Sequence, residues 1–188
     1  PGRPELRSGT LDPDAIGAAL GCFLPENAIV SDESVTAGRR VAPFTVGCPP
    51  HDWLYGTGGS IGRGLPEATG AAVACPDRKV LSLSGDGRAM YTVQALWTQA
   101  QENLDVTTVI FANRSYAILH DELRNVGAQP GANTQAMFNL DRPHLDWVAM
   151  AKGMGVEGIR TETAEQFNKA LETGLSIKGP YLIEAVLS

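Results

Sequence analysis

Two short polar motifs, each directly after an apolar run, carry the residues of this chain that are best suited to chemistry. Gly85–Gly87 (Gly-Asp-Gly) follows the run Lys79–Ser84, and Asn113–Ser115 (Asn-Arg-Ser) follows the run Val106–Ala112. Both runs are typical of buried strands, so each strand would deliver an oxygen ligand to its end. Mg²⁺ prefers oxygen ligands and takes few of them from protein, the rest coming from phosphate and water. The motifs therefore predict a metal site that carries a diphosphate.

Alternating strands and helices must bring these motifs together. The sequence predicts strands over residues 28–32, 79–84, 106–112, 156–160 and 181–186, helices over 12–23, 65–75, 90–103, 116–126, 145–154 and 163–175, and loops over 42–53 and 127–143. This order indicates an α/β fold, a three-layer domain with a mostly parallel central sheet and helices on both faces. In such sheets ligands bind beyond the carboxyl ends of the strands. Asp32, Asp86 and Asn113 all fall there, which favours one shared site.

Size and composition exclude several classes of function. The length of 188 residues suits one domain with a full core. A net charge of −6 without a basic run argues against binding to nucleic acid or anionic membranes. The apolar runs are far shorter than a membrane span. Cys22, Cys48 and Cys75 are odd in number and widely spaced, so neither a disulfide framework nor a zinc site is expected, and a cytoplasmic location is favoured.

The start of the chain suggests a piece of a longer polypeptide. It begins with Pro1 rather than Met, and its first residues, Pro-Gly-Arg-Pro, are typical of a linker. We expect residues 1–10 to be a linker from a preceding domain and residues 11–188 to form the binding domain, as the C-terminal part of a longer enzyme.

Either polar motif alone is weak evidence, because Gly-Asp-Gly is a common turn and Asn is frequent in turns and helix caps. As a pair, each after a strand, they resemble the core of the thiamine diphosphate motif. Nearly the whole chain is similar to the diphosphate-binding domain of acetolactate synthase, benzoylformate decarboxylase and their relatives. The resemblance implies that Asp86, the side-chain oxygen of Asn113 and the main-chain carbonyl of Ser115 ligate Mg²⁺. Two diphosphate oxygens and a water would complete the six-fold coordination.

The same resemblance assigns the residues around the diphosphate. The backbone N–H groups of Gly87, Arg88 and Tyr116 would contact the phosphates, and a helix beginning near Ala89 would add its positive end. Arg88 stands where relatives often carry Ser or Ala, and Ala117 stands where they often carry Gly. Both differences bear on phosphate contact, and neither removes a metal ligand.

The loop after the first strand and a glycine-dense turn complete the implied cofactor site. Val35 and Thr36 would approach the diphosphate, whereas Asp32 and Glu33 before them fit a solvated acidic turn nearly as well. In the turn at residues 58–62, the resemblance makes Ile61 the apolar wedge that bends the cofactor.

The carbonyl of Gly59 would accept a hydrogen bond from the cofactor's pyrimidine amine. The alternative is a glycine-rich linker in which Ile61 belongs to the core. Ile118 and Leu119, on the helix that flanks the cofactor, are either substrate contacts or plain core residues.

The resemblance implies a parent enzyme that uses thiamine diphosphate and Mg²⁺. It would decarboxylate a small 2-oxo acid and pass the resulting carbanion unit to an acceptor, as acetolactate synthase does. The glutamate that activates the cofactor is expected on a missing pyrimidine-binding domain of the same or the neighbouring subunit, in a homodimer or homotetramer. No catalytic residue is therefore assigned here, and the chain alone is expected to be inactive. Two alternatives stay open: a benzoylformate or oxalyl-CoA type of decarboxylase, and a non-catalytic domain that keeps the fold.

Overall fold

A single six-stranded sheet forms the centre of the protein in a computed structural model, which describes residues 2–187. Its strands are β1 (Ile29–Glu33), β2 (Asp52–Tyr55), β3 (Val80–Gly85), β4 (Val106–Ala112), β5 (Glu157–Thr161) and β6 (Tyr181–Val186). Their order across the sheet is β2-β1-β3-β4-β6-β5, and each of the neighbouring pairs is parallel. The predicted α/β fold with a parallel central sheet is confirmed.

Helices cover both faces of this sheet. They are α1 (Pro13–Phe23), α2 (Val35–Gly38), α3 (Gly64–Ala74), α4 (Asp86–Ala89), α5 (Ala95–Gln101), α6 (Ala117–Asn125), α7 (Ala132–Phe138), α8 (Trp147–Gly153) and α9 (Ala164–Ser176), with two short 3₁₀ helices at Ala42–Thr45 and Thr57–Gly59. Helices α1 and α9 pack on one face, and α3, α5 and α8 pack on the other. Among the described residues, no helix is long and apolar enough to cross a membrane.

The central strands β3, β4 and β6 are mostly apolar because both of their faces are buried. Alternate residues of β4 show this: Phe111 packs toward the core that contains Phe167 of α9, whereas Ile110 packs toward the core that contains Trp147 of α8. Burial on both faces explains why β3, β4 and β6 appear in the sequence as continuous apolar runs. It also makes these central strands a rigid base for the loops that follow them.

The order of the strands creates a crevice between β1 and β3. The chain continues from β1 to its neighbour β2 on one side, and from β3 to β4 on the other side. Loops that leave adjacent parallel strands in opposite directions leave a gap at the carboxyl edge of the sheet, where open α/β folds bind ligands. The segments that begin at Ser34 and Asp86 border this gap.

Three predicted elements were wrong in part. The helix predicted over 90–103 begins only at Ala95, because residues 90–94 form turns in which the Thr92 hydroxyl bonds to the Gly62 carbonyl at 2.7 Å. Ala89 therefore ends the short α4 instead of opening a long helix. The predicted loop 42–53 contains the start of β2, an edge strand too short for a periodic signal. The predicted loop 127–143 contains α7.

The N-terminal segment lies against the domain. The N–H of Gly9 donates to Glu165 Oε1 at 2.9 Å, and Thr10 forms an antiparallel bridge with Thr163, next to the start of α9. Pro1, the first residue of the predicted linker, and Ser188, the last residue of the predicted domain, lie outside the described residues. The division into a linker and a domain stays a prediction.

Candidate functional site

One cavity lies at the carboxyl ends of β1, β3 and β4. It is lined by nine of the eleven residues that the sequence analysis assigned to the metal and the cofactor: Val35, Thr36, Asp86, Gly87, Arg88, Asn113, Ser115, Tyr116 and Ala117. These residues come from the loop after β1, from α4 after β3 and from the loop after β4. Three separate strand ends therefore converge on one space, as the parallel sheet predicts.

The other two predicted residues, Gly59 and Ile61, lie beside that cavity. Gly59 lines an adjacent cavity with Glu33, Val35 and Arg88. Ile61 lines an apolar cleft together with Arg88 and Gly87. Because Ile61 is 52% exposed, it is not a core residue. Arg88 lines all three spaces, so the glycine turn borders the cavity that contains Asp86 and Asn113.

Asp86 is the buried carboxylate of the cavity, with only 3% of its surface exposed. Its Oδ1 accepts a hydrogen bond from the Gly87 N–H at 2.8 Å, and its Oδ2 accepts one from the Arg114 N–H at 2.6 Å. Burial raises the pKa of Asp86, since the charged form loses water, and the two backbone hydrogen bonds oppose that rise. Each oxygen keeps a further lone pair, which leaves the carboxylate able to bind a cation.

The loop after β4 carries the two other predicted metal ligands, Asn113 Oδ1 and the Ser115 carbonyl. Asn113 Oδ1 accepts a hydrogen bond from the Ser115 N–H at 3.1 Å and keeps a second lone pair. Arg114 between them has φ 55°, the left-handed conformation that reverses the chain direction. The Arg114 carbonyl accepts a hydrogen bond from the Leu140 N–H at 2.9 Å, so the segment after α7 holds this loop in place.

The backbone N–H groups that could donate to a phosphate differ in whether they already have a hydrogen-bond partner. The Tyr116 N–H donates to the Phe138 carbonyl at 2.9 Å, so this N–H group already has a partner in place of a phosphate. Contact of Tyr116 with the cofactor stays a prediction, and this residue lines the cavity. The Gly87 N–H is engaged by Asp86 Oδ1. In contrast, Val35 and Thr36 open α2 and Arg88 lies in the first turn of α4, where backbone N–H groups have no acceptor within the helix. Among the described residues, none of these three N–H groups donates to a backbone group outside the helices and strands. Free N–H groups at this edge are what an anionic phosphate requires.

Val35 has a backbone conformation that is rare for its type. Its φ is 45°, whereas β-branched residues strongly avoid positive φ because of steric clashes. The preceding turn is shaped by Asp32, whose Oδ1 accepts hydrogen bonds from the Ser34 N–H at 2.9 Å and the Ser34 hydroxyl at 2.5 Å. Asp32 Oδ2 also accepts one from Trp53 Nε1 at 3.2 Å. Local strain of this kind is maintained by the surrounding structure and clusters at binding sites.

These donors fit Mg²⁺ and a diphosphate. The set consists of one carboxylate, one amide oxygen and the Ser115 carbonyl, and the described residues contain no cluster of three or more His, Cys, Asp or Glu side chains that could hold a metal by themselves. Mg²⁺ is commonly bound by one or two protein carboxylates with substrate phosphates and water, rather than by an all-protein cage. The free N–H groups of Val35, Thr36 and Arg88 supply the complementary donors.

Glu33 is the residue whose role the sequence left undecided. It is 1% exposed, so the interpretation of a solvated acidic turn is wrong for this residue. Its carboxylate accepts hydrogen bonds from the backbone of the glycine turn, including the Gly62 N–H at 2.6 Å. A strand-end position in a parallel sheet was the only signal in the sequence that could have indicated it.

The apolar cleft beside Ile61 excludes one of the two alternatives for Ile118 and Leu119 on the flanking helix. Ile118 and Leu119 line it together with Met137 and Phe138, and no residue of α6 is buried. Neither is therefore a plain core residue. The cleft adjoins the cavity at Gly87, Arg88 and Tyr116, so a molecule bound between the two spaces would have one polar end and one apolar end.

Comparison with known proteins agrees with this geometry. Residues 36–185 match the family model described as "Thiamine pyrophosphate enzyme, C-terminal TPP binding domain". Among curated proteins, the chain is 50% identical over 187 residues to the "Putative acetolactate synthase large subunit IlvX" of Mycobacterium tuberculosis, covering 98% of this chain and 36% of that protein. It is 33% identical over 178 residues to benzoylformate decarboxylase of Pseudomonas aeruginosa, covering 94% of this chain and 32% of that protein.

A solved structure shows the same architecture. The thiamine diphosphate-dependent 4-hydroxybenzoylformate decarboxylase of Rhodococcus jostii RHA1 superimposes with a TM-score of 0.81 at 31% identity, over 98% of this chain and 34% of that chain. This chain spans about a third of the length of the relatives it matches.

Proposed function

Since this chain belongs to the thiamine pyrophosphate enzyme family, as its C-terminal TPP-binding domain, we propose that it binds thiamine diphosphate through Mg²⁺. The observation that carries the proposal is the convergence of Asp86, Asn113 and Ser115 on a cavity that also holds unpaired backbone N–H groups. The same cavity contains oxygen atoms that can bind a cation and N–H groups that can donate to an anion. This combination suits a metal ion together with a diphosphate better than it suits a metal ion or a diphosphate alone.

Each residue has a defined role in this proposal. The Asp86 carboxylate, Asn113 Oδ1 and the Ser115 carbonyl hold the metal. The N–H groups of Val35, Thr36 and Arg88 donate to the diphosphate. The side chain of Tyr116 and the small Ala117 form the wall of the cavity. Gly59 and Ile61 contact the rings of the cofactor from the neighbouring turn.

When bound, thiamine diphosphate supplies the electron sink that allows a 2-oxo acid to lose CO₂. In this proposal the residues of this chain bind and orient the cofactor, and they do not protonate its pyrimidine. Asp86 is engaged by two backbone N–H groups and is reserved for the metal. We propose that the proton donor comes from another domain. We propose the same or the neighbouring subunit of a cytoplasmic homodimer or homotetramer as its source, and inactivity of this chain alone.

For the whole protein we propose an acetolactate-synthase-like activity, in which a small 2-oxo acid is decarboxylated and the remaining unit is transferred to an acceptor. Support comes from the 50% identity to the acetolactate synthase-like relative and the 33% identity to acetolactate synthase isozyme 1 of Escherichia coli. The second of these covers 89% of this chain.

A second candidate is decarboxylation of an aryl 2-oxo acid. The apolar cleft lined by Ile61, Tyr91, Leu119 and Phe138 favours it, because an aromatic substituent would bury apolar surface there. The similarity to two benzoylformate-type decarboxylases points the same way. A non-catalytic domain that keeps the fold is a weaker candidate, since it would need neither the metal ligands nor the free N–H groups.

The test uses the full-length protein. Isothermal titration with thiamine diphosphate should give binding in the presence of Mg²⁺ and a loss of binding after chelation with EDTA. Product analysis with pyruvate and with benzoylformate then separates the two enzymatic candidates, since acetolactate from pyruvate supports the first and benzaldehyde supports the second. Equal binding with and without Mg²⁺ would contradict the proposed metal role, and binding without product from either acid would favour the non-catalytic alternative.

A further inference from the structure

Glu33 forms a hydrogen-bonded bridge between β1 and the glycine turn. It is the last residue of β1, and its carboxylate is buried. Oε1 accepts hydrogen bonds from the N–H groups of Gly62 at 2.6 Å and Arg63 at 3.3 Å, and Oε2 accepts one from Gly64 at 2.7 Å. A buried carboxylate is costly unless it is well hydrogen-bonded, and bonds from N–H groups to a charged acceptor are among the stronger ones. These contacts therefore fix the turn firmly.

Glu33 also caps a helix, although it belongs to a strand that is distant from that helix in the sequence. The first N–H groups of a helix have no partner within that helix. Helix α3 begins at Gly64, and the side chain of its N-cap residue, Arg63, makes no capping bond. The Glu33 carboxylate takes the place of that cap, and its negative charge lies at the positive end of α3. The start of α3 is thus set by β1.

The turn is also held from its other side. The Thr92 hydroxyl donates to the Gly62 carbonyl at 2.7 Å, and Gly62 has φ 82°. A Cβ at Gly62 would lie 2.7 Å from the Cβ of Tyr91, and a Cβ at Gly64 would lie 2.9 Å from Glu33 Oε2. Both positions are too close for a side chain. Glycine is therefore required where the turn passes between β1 and the segment after α4.

The same carboxylate faces α4, the helix that carries the metal ligand Asp86 and one of the proposed phosphate donors, Arg88. Arg88 Nη1 lies 3.5 Å from Glu33 Oε1, and the Arg88 side chain is only 22% exposed. Arg88 belongs to α4, which also contains Asp86 and Gly87. One buried carboxylate thus contacts both the turn that precedes α3 and the helix at the metal site.

We propose that Glu33 is a positioning residue, which fixes the turn carrying Gly59 and Ile61 relative to α4 with its metal and phosphate ligands. The inference rests on the proposed function, since it concerns the geometry of that cofactor site. Glu33 itself is not placed to touch the reacting atoms: its three hydrogen bonds are used by the backbone. Its charge aligns two halves of the site that are distant in the sequence.

The test is Glu33→Gln in the full-length protein. Glutamine keeps the size of the side chain but replaces one acceptor oxygen with an NH₂ group, which faces an N–H donor. Hydrogen exchange of the backbone amides over residues 60–66, measured without cofactor, should accelerate roughly ten- to a hundredfold. Glu67→Gln is the matched control, because Glu67 bonds to Ser31 and Arg63 side chains but not to the turn's backbone. Its exchange over residues 60–66 should stay at the wild-type rate.

A functional readout separates positioning from general destabilisation. In the cofactor-loaded enzyme, Glu33→Gln should lower kcat by about tenfold or more, while the cofactor Kd changes much less, since the metal ligands are untouched. Unchanged amide exchange would overturn the hydrogen-bonded bridge. Faster exchange with unchanged kcat would overturn the positioning role.

A second variant covers the case in which Glu33→Gln fails to fold. Gly64→Ala keeps the charge but places a methyl group against Glu33, and it should reproduce both effects, whereas Gly70→Ala on the open side of α3 should reproduce neither. A wild-type protein that binds no thiamine diphosphate would refute the proposed function, and amide exchange in that protein would still decide whether Glu33 fixes the turn.

Discussion

Asp86 Oδ2 accepts a hydrogen bond from the backbone N–H of Arg114 at 2.6 Å, which joins the end of β3 to the end of β4. The bond places the carboxylate beside the loop that carries Asn113 and Ser115. Two motifs far apart in the sequence thereby form one oxygen-lined space. The distance between these strands is fixed by the parallel ladder that pairs Gly85 with Phe111.

Replacing Asp86 with Ala should abolish Mg²⁺-dependent retention of thiamine diphosphate. Neutral oxygen ligands cannot replace the carboxylate charge, so the cofactor Kd in the presence of Mg²⁺ should rise by more than about a hundredfold. Equilibrium dialysis of the full-length protein measures this. Asp77→Ala, an exposed acid before β3, is the control and should leave the Kd unchanged. Retention by Asp86→Ala at the wild-type level would refute the ligand assignment.

Gly87→Ala tests whether the tightly packed wall of the cavity around Gly87 belongs to the cofactor site. A Cβ at Gly87 would lie 2.5 Å from Tyr116 Cε1 and 3.2 Å from Leu140 Cδ1, so the Tyr116 ring must move. Overpacking of this kind costs about 1–3 kcal/mol, and cofactor binding should weaken by roughly tenfold or more.

The control for that variant is Gly70→Ala, where nothing lies within 4 Å of the added Cβ. Because Gly70 is inside a helix, this change should stabilise the fold by about 0.4–1 kcal/mol without changing cofactor affinity. Wild-type cofactor affinity in Gly87→Ala, measured by titration calorimetry, would contradict the assignment of this wall to the cofactor site.

Ile61→Ala should affect the reactivity of the bound cofactor more than its affinity. The side chain is half-exposed and lines the apolar cleft, so its removal leaves the core and the metal ligands intact. We expect the exchange of the C2 proton of bound thiamine diphosphate, followed by NMR after quenching, to slow by roughly tenfold. Ile159→Ala, an exposed position on β5, is the matched control. Exchange at the wild-type rate would count against the role of Ile61 as a wedge.

Glu184→Gln should raise stability at neutral pH. Glu184 is 1% exposed in β6, and neither of its carboxylate oxygens has a hydrogen-bond partner among the described residues. Burial raises its pKa, with a smaller contribution from Asp146, while Arg160, His144 and Arg114 oppose the rise. A carboxyl whose pKa is raised on folding destabilises the folded state when it is ionised. This penalty is absent below the unfolded pKa of about 4.3 and grows as the pH rises through the folded pKa.

Thermal unfolding from pH 4 to pH 8 checks this expectation. The midpoint of Glu184→Gln should exceed that of the wild type by several degrees at pH 8, and the difference should vanish near pH 4. Glu162→Gln, whose side chain is 60% exposed, should show no such trend. A constant difference between Glu184→Gln and the wild type across this range would show that ionisation of Glu184 is not the cause.

The elements with strong local signals were predicted well from the sequence. Strand β6 has the predicted bounds, and α9 begins with the predicted capping box, in which Thr163 Oγ1 accepts from the Gln166 N–H and Gln166 Oε1 accepts from the Thr163 N–H. Both signals are contained in a few adjacent residues. The parallel arrangement followed from the alternation of strands and helices, which also placed Asp86 and Asn113 at one edge of the sheet.

The features that the sequence did not predict depend on contacts between distant residues. Residues 90–94 are not helical because Thr92 bonds to Gly62 instead of continuing a helix. The Tyr116 N–H is taken by Phe138, in a segment whose path could not be anticipated. Glu33 looks like an ordinary strand-end acid until the glycine turn is seen to fold onto it. Each of these bonds links residues that are separated by at least one helix or strand, and local sequence patterns carry no information about such contacts.

The most direct test of the metal site is a crystal structure of the full-length protein with thiamine diphosphate and Mn²⁺ in place of Mg²⁺, recorded with anomalous scattering from the metal. We predict one anomalous peak bound by Asp86, Asn113 Oδ1 and the Ser115 carbonyl, at distances near the roughly 2.1 Å that Mg²⁺ prefers, with diphosphate oxygens on the same ion. An ordered cofactor whose metal lies elsewhere, with Asp86 and Asn113 turned away from it, would contradict the account.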